Sequence, residues 1–400
     1  MLLNRLTRTL GLAAGLFGGL ALSGHALSME AGVADASIVE LAPPEQALTL
    51  AQIQRDGQHH TLLLLRAGAD QVDGINLSRH FNSYPHDSLT LVRNQGYQSL
   101  AGLLRLALSN PNDLPLESID RDALLPTGGP REHQLAAGAN YEEHGEETDI
   151  DEVFLFPKFS PASGAVVTMA GGNGRLLDYE VELCMRWDRD LTSLADLRQA
   201  QPGLFLCGDF TDRAEMLRRL DVDNITSGHG FTDAKSGADR FPTGPWLVVP
   251  ADWRQLLPDL ALRTYVGTDL RQHARADSMI LQPDALVERV LAAGQEPDWR
   301  YRDQPVALLS GNGSGIRQGE SLLTGTPEGV VFNAPGPGYY VTTIAHWLVT
   351  LSFLDSAAMD YLVEALIEDG LASGDYLMPG DQVRLEGRYL GSIEVTVTDG

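Results

Sequence analysis

The chain has 400 residues, of which 43% are hydrophobic and 21% charged, a composition typical of globular proteins rather than disordered or collagen-like chains. Acidic residues outnumber basic ones 54 to 29, giving a formal net charge of −25. Because so acidic a surface repels phosphate backbones and anionic lipid headgroups, we expect no nucleic-acid partner.

The first 26 residues have the features of an export signal. Arg5 and Arg8 precede an uncharged run over residues 10–22, and small residues follow as far as Ala26. That run is shorter than the roughly 20 residues that a spanning helix needs. We therefore expect a signal peptide at 1–26 and an exported, periplasmic protein with no stable membrane insertion after cleavage. An uncleaved anchor is the alternative.

The next 100 residues predict a small domain. Residues 27–46, with Pro43 and Pro44, are typical of a flexible lead-in. Alternating apolar residues then predict short strands, and a helical spacing follows over residues 99–108. The strands are predicted at 48–53, 61–65 and 71–75. A Pro- and Gly-rich stretch at 126–130 marks the end of an N-terminal β-rich domain, which we place at 47–128.

Short strand-like runs separated by Gly- and Pro-rich loops continue through the second domain, 129–400. This pattern predicts a β-dominated α+β fold with a mixed β-sheet or β-roll core. Residues 342–374 differ, because their apolar residues recur at helical spacing and predict a helical insertion. We expect the apolar positions, Trp347, Leu351, Leu362 and Leu366 among them, to pack on the same chain; a neighbouring subunit is the alternative.

The chain has two cysteines, Cys184 and Cys207, each in an apolar, strand-like segment. An oxidising compartment would allow them to pair. Because free cysteine is often simply buried, we interpret them as two buried, reduced thiols.

Two glutamates, Glu180 and Glu182, are spaced to lie on one face of a strand. By itself this pattern is more often a solvated strand face. However, a third carboxylate, Asp209, ends the apolar run at 204–208. Carboxylates that converge in a partly buried position are most easily explained by a divalent cation that prefers oxygen ligands, such as Mg²⁺ or Mn²⁺.

Further motifs stand in a fixed order around these acids. They are GANYEEHGEE (138–147), DYEVEL (178–183), Asp209, TDAKS (232–236), FPTGPW (241–246) and LTGTPEGV (323–330). In this order and spacing the chain resembles the fumarylacetoacetate hydrolase superfamily from about residue 48 to residue 397. The resemblance implies a mostly β catalytic domain and a homodimer.

The resemblance also implies roles for individual residues. Glu180, Glu182 and Asp209 would bind Mg²⁺ or Mn²⁺, and Lys235 would neutralise charge on the bound substrate. His144 and Glu147 resemble the H-x-x-E pair that activates water. The expected substrate contacts are Arg213, Thr324 and Thr326.

Three features depart from the family pattern. The usual R-D-x-Q is replaced by Arg213-Ala214-Glu215-Met216, the segment over 217–232 is long, and about 40 residues are inserted before 379–381. These changes lie where a pocket wall or lid is expected, so they bear on the substrate more than on the chemistry.

The expected function is a divalent-metal-dependent hydrolase that cleaves a C–C bond in a small oxo acid, acylpyruvate-like or β-diketo. A lyase or isomerase on the same site (2-oxo acid decarboxylase, dehydratase or tautomerase) is one alternative. An exported, non-catalytic binding protein that keeps the metal site is another.

Overall fold

Two mixed β-sheets organise the chain in a computed structural model, which describes residues 39–110, 114–221, 224–294, 296–311 and 313–400. The predicted signal peptide (1–26) and most of the lead-in lie outside the described residues. Export therefore stays a prediction. From residue 39 onward the chain falls within one compact unit.

The described residues form nineteen strands. In chain order they are β1 (Ala47–Arg55), β2 (Gln58–Ala67), β3 (Gln71–Asn76), β4 (Leu116–Asp120), β5 (His133–Gly138), β6 (Phe154–Phe159), β7 (Val166–Gly171), β8 (Leu177–Asp178), β9 (Val181–Trp187), β10 (Pro202–Gly208), β11 (Thr211–Asp212), β12 (Leu247–Pro250), β13 (Ala261–Val266), β14 (Asp269–Arg275), β15 (Trp299–Tyr301), β16 (Gln304–Val306), β17 (Leu322–Leu323), β18 (Gln382–Gly387) and β19 (Gly391–Asp399).

The same parts of the chain contain eleven α-helices. They are α1 (Leu77–Phe81), α2 (Ser88–Gln95), α3 (Tyr97–Ser109), α4 (Glu142–Thr148), α5 (Leu194–Gln199), α6 (Arg213–Arg219), α7 (Phe231–Lys235), α8 (Trp253–Leu256), α9 (Pro283–Ala292), α10 (Pro337–Val349) and α11 (Ala358–Ser373).

The large sheet has ten strands in the order β4-β3-β2-β1-β12-β10-β9-β17-β5-β6, and a second sheet has the order β14-β13-β18-β19-β7. The N-terminal strands therefore extend the sheet of the second predicted domain, through the antiparallel pairing of β1 with β12, in which Leu48 faces Val249. This agrees with the predicted mixed-sheet α+β class and its N-terminal β-rich region. The boundary near residue 128 falls in the loop between β4 and β5 and stays a prediction.

The centre of the large sheet is buried on both faces. Every residue of β9 and β10 is buried. Polar residues alternate with apolar ones along β9, and because they are buried, their side chains must find partners inside the protein. β9 and β10 run antiparallel, with Glu182 facing Cys207 and Cys184 facing Phe205. This pairing positions the acidic residues described below.

The same register corrects the interpretation of the cysteines. Cys184 and Cys207 form a disulfide, with 5.9 Å between their Cα atoms, so the prediction of two reduced thiols is wrong. The physical reason is that they lie diagonally across neighbouring strands, close enough for a disulfide. The sequence places both in strands but does not give the register between them.

The predicted insertion forms a hairpin of two helices, α10 and α11. Along α11, Leu362 and Ile367 are buried, and Ile367 clusters with Leu176, Ala214 and Leu217 of the same chain. α10 has no buried residue, and its Val341, Leu348 and Val349 are each more than half exposed. The expected packing on the same chain is thus present along α11. No helix in the described parts of the chain is long and apolar enough to cross a membrane.

Candidate metal and catalytic site

Three carboxylates converge where β9 and β10 end. Glu180 immediately precedes β9, Glu182 is its second residue, and Asp209 immediately follows β10. The backbone N–H of Asp209 donates to the carbonyl of Glu180 at 2.9 Å, which ties the two strand ends together. One oxygen from each of the three carboxylates lies within 4.8 Å of the others, and all three residues are buried. The predicted acidic cluster is therefore present.

Lys235, at the end of α7, lies against two of these carboxylates. Its Nζ is 2.6 Å from Glu180 Oε2 and 2.8 Å from Asp209 Oδ2. It also donates to the Thr211 hydroxyl at 2.8 Å. An ammonium group has three N–H donors, so all three are engaged within the cluster.

A second lysine, Lys158 on β6, belongs to the same network, and the sequence analysis missed it. It is fully buried, and its Nζ is 2.7 Å from Asp209 Oδ1. It also donates to the backbone carbonyls of Lys235 and Arg240. Two features of the sequence could have indicated it. Lys158 interrupts an apolar strand, where a lysine needs a partner, and it is one of only two lysines in the chain. In the structure both lysines contact Asp209.

Arg213, at the start of α6, holds Glu180 from the other side. Its Nη2 is 2.8 Å from Glu180 Oε1 and its Nε is 2.9 Å from Asp178 Oδ2. Asp178 in turn accepts hydrogen bonds from the backbone N–H groups of Val331 and Phe332. Arg213 was predicted to contact substrate; in this structure its guanidinium is bound between two buried acids at the edge of the cavity described below.

These contacts give the two glutamates opposite electrostatic environments. Burial alone would raise the pKa of Glu180, but the Lys235 ammonium and the Arg213 guanidinium outweigh it and lower the pKa to about 2. For Glu182, burial and then the charges of Asp209 and Glu180 raise the pKa well above its ordinary value of 4.5. Glu182 is thus a less stabilised anion than Glu180.

The charges around the cluster indicate that a cation fits there. Four buried acids, Asp178, Glu180, Glu182 and Asp209, are matched by three cations, Lys158, Lys235 and Arg213. Within the described residues, Glu182 has no ion-pair partner of its own. Converging carboxylate oxygens are the ligands that Mg²⁺ and Mn²⁺ prefer, and a divalent ion would remove the cost of burying Glu182 as an anion. Glu180, Glu182 and Asp209 therefore fit a divalent metal.

The T-G-T-P motif orients Glu182. The backbone N–H of Gly325 donates to Glu182 Oε2 at 2.7 Å. Gly325 has a positive φ of 99°, and a Cβ at this position would come within 2.8 Å of the Asn140 Cβ. Both this backbone conformation and the close approach to Asn140 require glycine at this position. The backbone N–H of Gly325 then holds the Glu182 carboxylate in place.

The two threonines of the motif bind the strand that carries Glu182. The Thr324 hydroxyl donates to the Leu183 carbonyl at 2.8 Å, and the Thr326 hydroxyl donates to the Val181 carbonyl at 3.0 Å. Thr324 is fully buried, whereas Thr326 lines the cavity. Both hydroxyls, which were predicted to contact substrate, are engaged with β9, because the motif begins on β17, its neighbour in the sheet.

The predicted histidine and glutamate pair forms on α4. His144 Nδ1 is 3.3 Å from Glu147 Oε2, an i, i+3 contact on one face of the helix. The other oxygen, Glu147 Oε1, accepts from the backbone N–H of Gly329 at 2.8 Å. A Cβ on Gly329 would lie only 2.0 Å from the Arg271 carbonyl, so the loop can approach this closely only with glycine there. Glu147 is held at both oxygens, and Nε2 is the ring nitrogen that remains for chemistry.

One cavity of about 300 Å³ joins these groups. His144, Glu180, Arg213, Lys235 and Thr326 line its polar end. The remaining walls are mostly apolar and come from β6, α6, α7 and both helices of the hairpin. Glu182 and Asp209 lie behind this polar end, within the cluster.

Comparison with known proteins agrees with this geometry. Residues 133–398 match the family profile described as fumarylacetoacetate (FAA) hydrolase C-terminal. Protein Rv2993c of Mycobacterium tuberculosis is 38% identical over 110 residues, covering 27% of this chain and 33% of that protein. An uncharacterised Staphylococcus aureus (strain USA300) protein is 24% identical over 221 residues, covering 52% of this chain and 61% of that protein. The chain thus matches less than two thirds of the length of these relatives.

Solved structures share the fold at low sequence identity. A fumarylacetoacetate hydrolase from Exiguobacterium antarcticum has a TM-score of 0.54 and 17% identity, over 88% of this chain and 100% of that chain. A maleylpyruvate hydrolase from Sphingobium sp. SYK-6, solved with manganese(II) and pyruvate, has a TM-score of 0.51 and 18% identity, over 88% and 99% of the two chains. A Mycobacterium marinum protein described as 2-hydroxyhepta-2,4-diene-1,7-dioate isomerase has a TM-score of 0.50 and 18% identity, over 88% and 98%. Since the family profile covers well over half of the sequence, the chain belongs to the fumarylacetoacetate hydrolase family.

Proposed function

We propose that this protein is a divalent-metal-dependent hydrolase that cleaves a C–C bond in an acylpyruvate-like or β-diketo acid. The observation that carries the proposal is that His144, which is paired with Glu147, and Glu180 of the acidic cluster line the same cavity. A base and a cation site on one cavity are what hydrolysis of a chelating dicarbonyl needs. The Sphingobium hydrolase, with its manganese and pyruvate, supports the choice of metal and substrate class.

The metal, Mg²⁺ or Mn²⁺ held by Glu180, Glu182 and Asp209, would polarise substrate carbonyl oxygens as a Lewis acid. Lys235 acts beside it through its positive charge, because its three N–H groups already donate to Glu180, Asp209 and Thr211. Such a fixed charge stabilises the enolate that forms as the C–C bond breaks. Lys158 and Arg213 keep the carboxylates in place.

His144 is the proposed general base. With Nδ1 directed to Glu147, Nε2 takes a proton from water, and the resulting hydroxide attacks the carbonyl carbon farther from the substrate carboxylate. The bond between that carbon and the neighbouring methylene breaks, and its electron pair forms the enolate. Reprotonation of the methylene carbon gives pyruvate, and the acyl group leaves as a carboxylate. Glu147 stabilises the protonated imidazole, and its bond from Gly329 keeps it in position.

Variants of the pair test this assignment. Loss of general-base assistance slows a reaction by roughly 10²- to 10⁴-fold, so His144→Ala and Glu147→Gln should lower pyruvate release by that factor. Mn²⁺ affinity, measured by calorimetry, should change little. Glu143→Gln, at an exposed position on the same helix, is the matched control and should retain full activity. Full activity of both dyad variants on the best substrate would contradict water activation by this pair.

A lyase or isomerase on the same site is the second candidate. It is favoured by the isomerase descriptions among the structural neighbours. Decarboxylation of a chelated 2-oxo acid needs mainly the metal and Lys235, so it should survive the His144→Ala change. Carbon dioxide release from oxaloacetate that is unaffected by that change would favour this candidate. If the protein binds the metal but turns over neither acylpyruvates nor oxaloacetate, the third hypothesis, a non-catalytic binding protein, is favoured.

We also propose that the protein is exported to the periplasm and acts as a homodimer. The disulfide between Cys184 and Cys207 supports export, because structural disulfides persist in oxidising compartments. N-terminal sequencing of protein from a bacterial host should begin close to Leu27, and light scattering should give twice the mass of the mature chain. An intact Met1 in the cytosolic fraction would contradict export.

A further inference from the structure

We infer that the substrate carries an uncharged, apolar acyl tail rather than a second carboxylate, and that the helical hairpin selects this tail. The inference rests on the proposed function and adds the chemical class of the part of the substrate that does not react. It comes from the mostly apolar walls that make up the rest of the cavity.

The first of these walls is aromatic. Phe154 and Phe156 on β6 and Phe231 on α7 all line the cavity. The ring centroid of Phe231 is 4.7 Å from that of Phe154 and 5.8 Å from that of Phe156, so the rings form a continuous surface. Such a surface favours alkyl or aryl groups and offers nothing to a carboxylate.

A second apolar wall belongs to the hairpin. Met359, Leu362, Val363 and Leu366 line the cavity from α11, and Tyr340 lines it from α10. Leu362, Val363 and Leu366 follow Met359 by three, four and seven residues, so the four lie on one face of the helix. A tail that extends from the reacting carbonyls therefore meets apolar side chains from both walls.

The charges lining the cavity point the same way. Its two permanent cations, Arg213 and Lys235, are already paired with Asp178, Glu180 and Asp209. The charged residue in the outer lining is Asp149, an exposed acid. A terminal carboxylate would lose water without gaining a cation and would be repelled by Asp149.

A matched pair of substrates tests the inference directly. 2,4-Dioxooctanoate and 2,4-dioxooctanedioate differ only in whether the chain ends in a methyl group or a carboxylate. With Mn²⁺, kcat/KM should be at least about tenfold higher for the monoacid, because burial of the terminal methyl group contributes roughly fourfold in affinity, whereas a carboxylate there loses its water without gaining a cation. Equal values, or preference for the diacid, would overturn the inference and leave the proposed function intact.

A second readout keeps the two claims separate. If neither acid is cleaved, the proposed function fails for these two substrates. Calorimetry of the same acids with the Mn²⁺-loaded protein then shows whether the cavity binds an apolar tail more tightly than a carboxylate. Tighter binding of the monoacid supports the apolar tail. Equal or tighter binding of the diacid contradicts it.

A charge-introducing variant assigns the selection to the hairpin. Met359 is 39% exposed, so Met359→Lys should fold and place a cation at the cavity wall. It should lower the preference for the monoacid severalfold by raising kcat/KM for the diacid. Leu371→Lys, on the same helix and 41% exposed but outside the cavity lining, is the control and should keep the wild-type preference. Identical preferences in the two variants, with native melting curves, would show that the hairpin does not select the tail.

Discussion

The two ends of the cavity are built on different principles. At the polar end, both oxygens of Glu180, Asp209 and Asp178 have hydrogen-bond or ion-pair partners. At the other end, the wall formed by the hairpin is lightly packed, because α11 contributes only two buried residues and α10 none. A substitution in a buried network, where most groups have several partners, costs much stability. A substitution in a wall that is held by few buried contacts costs little. The comparison suggests that the chemistry is fixed by the sheet and the substrate range by the hairpin.

The largest expected effect comes from the polar end. Lys158→Met removes the buried ammonium beside Asp209 and takes one of two donors from each of the carbonyls of Lys235 and Arg240. Breaking a buried ion pair costs about 3–5 kcal/mol, and we expect the lower part of this range because Lys235 still faces Asp209.

Urea unfolding measures this loss. Arg66→Met is the control, since the Arg66 side chain is 70% exposed and its pair with Asp73 should contribute under about 1 kcal/mol. If Lys158→Met cost no more than the control, the network would not stabilise the fold as described.

The disulfide should give the next largest effect. It closes a 23-residue separation between neighbouring strands, and removing a bridge of this loop size costs about 3 kcal/mol. The double variant Cys184→Ala and Cys207→Ala should therefore unfold at lower urea concentration than the oxidised protein. Two free thiols in the native protein by mass spectrometry would contradict the pairing.

Glu182 should make the free energy of unfolding of the metal-free protein fall as the pH rises above about 4.5. Its folded pKa is raised above the unfolded value of about 4.5, so its favourable contribution is complete below that pH and is lost as the pH rises through the folded pKa. Glu180 does not interfere, because its pKa is lowered to about 2 and its contribution is lost only as the pH falls toward that value.

Glu182→Gln should reduce the decline in stability above pH 4.5, because an amide does not ionise. A smaller decline should remain, since burial also raises the pKa values of Asp233, Glu328 and Glu394. Thermal melts in the presence of a chelator, from pH 4.5 upward, measure this, with Glu146→Gln as an exposed control. A decline of the same size in the Gln variant would mean that the raised pKa of Glu182 does not cause the loss of stability.

Much of this arrangement could be predicted from sequence, and the exceptions have a common physical cause. Apolar alternation located β1, β2 and β3, and the family motifs located Glu180, Glu182, Asp209 and the His144–Glu147 pair. Motifs carry the groups that do chemistry, but they do not say which partner each polar group finds after folding. Lys158, the binding of Arg213 between two acids, the threonine bonds to β9 and the cysteine pairing all depend on register and packing.

The smallest expected effect comes from the hairpin. Leu366 is only partly buried on α11, whereas Leu323 is fully buried in the central sheet. Leu323→Ala should cost about 2–5 kcal/mol of unfolding free energy, and Leu366→Ala clearly less, while changing substrate affinity. Equal costs would remove the contrast between the two ends.

We propose that Glu180, Glu182 and Asp209 together hold one divalent ion at the polar end of the cavity. Crystals grown with Mn²⁺, with diffraction recorded at the manganese absorption edge, test it most directly. We expect one anomalous peak among the oxygens of these three carboxylates, and its loss in Glu182→Gln crystals grown in the same way. No peak at this position in the wild-type protein, or an undiminished peak in the variant, would contradict it.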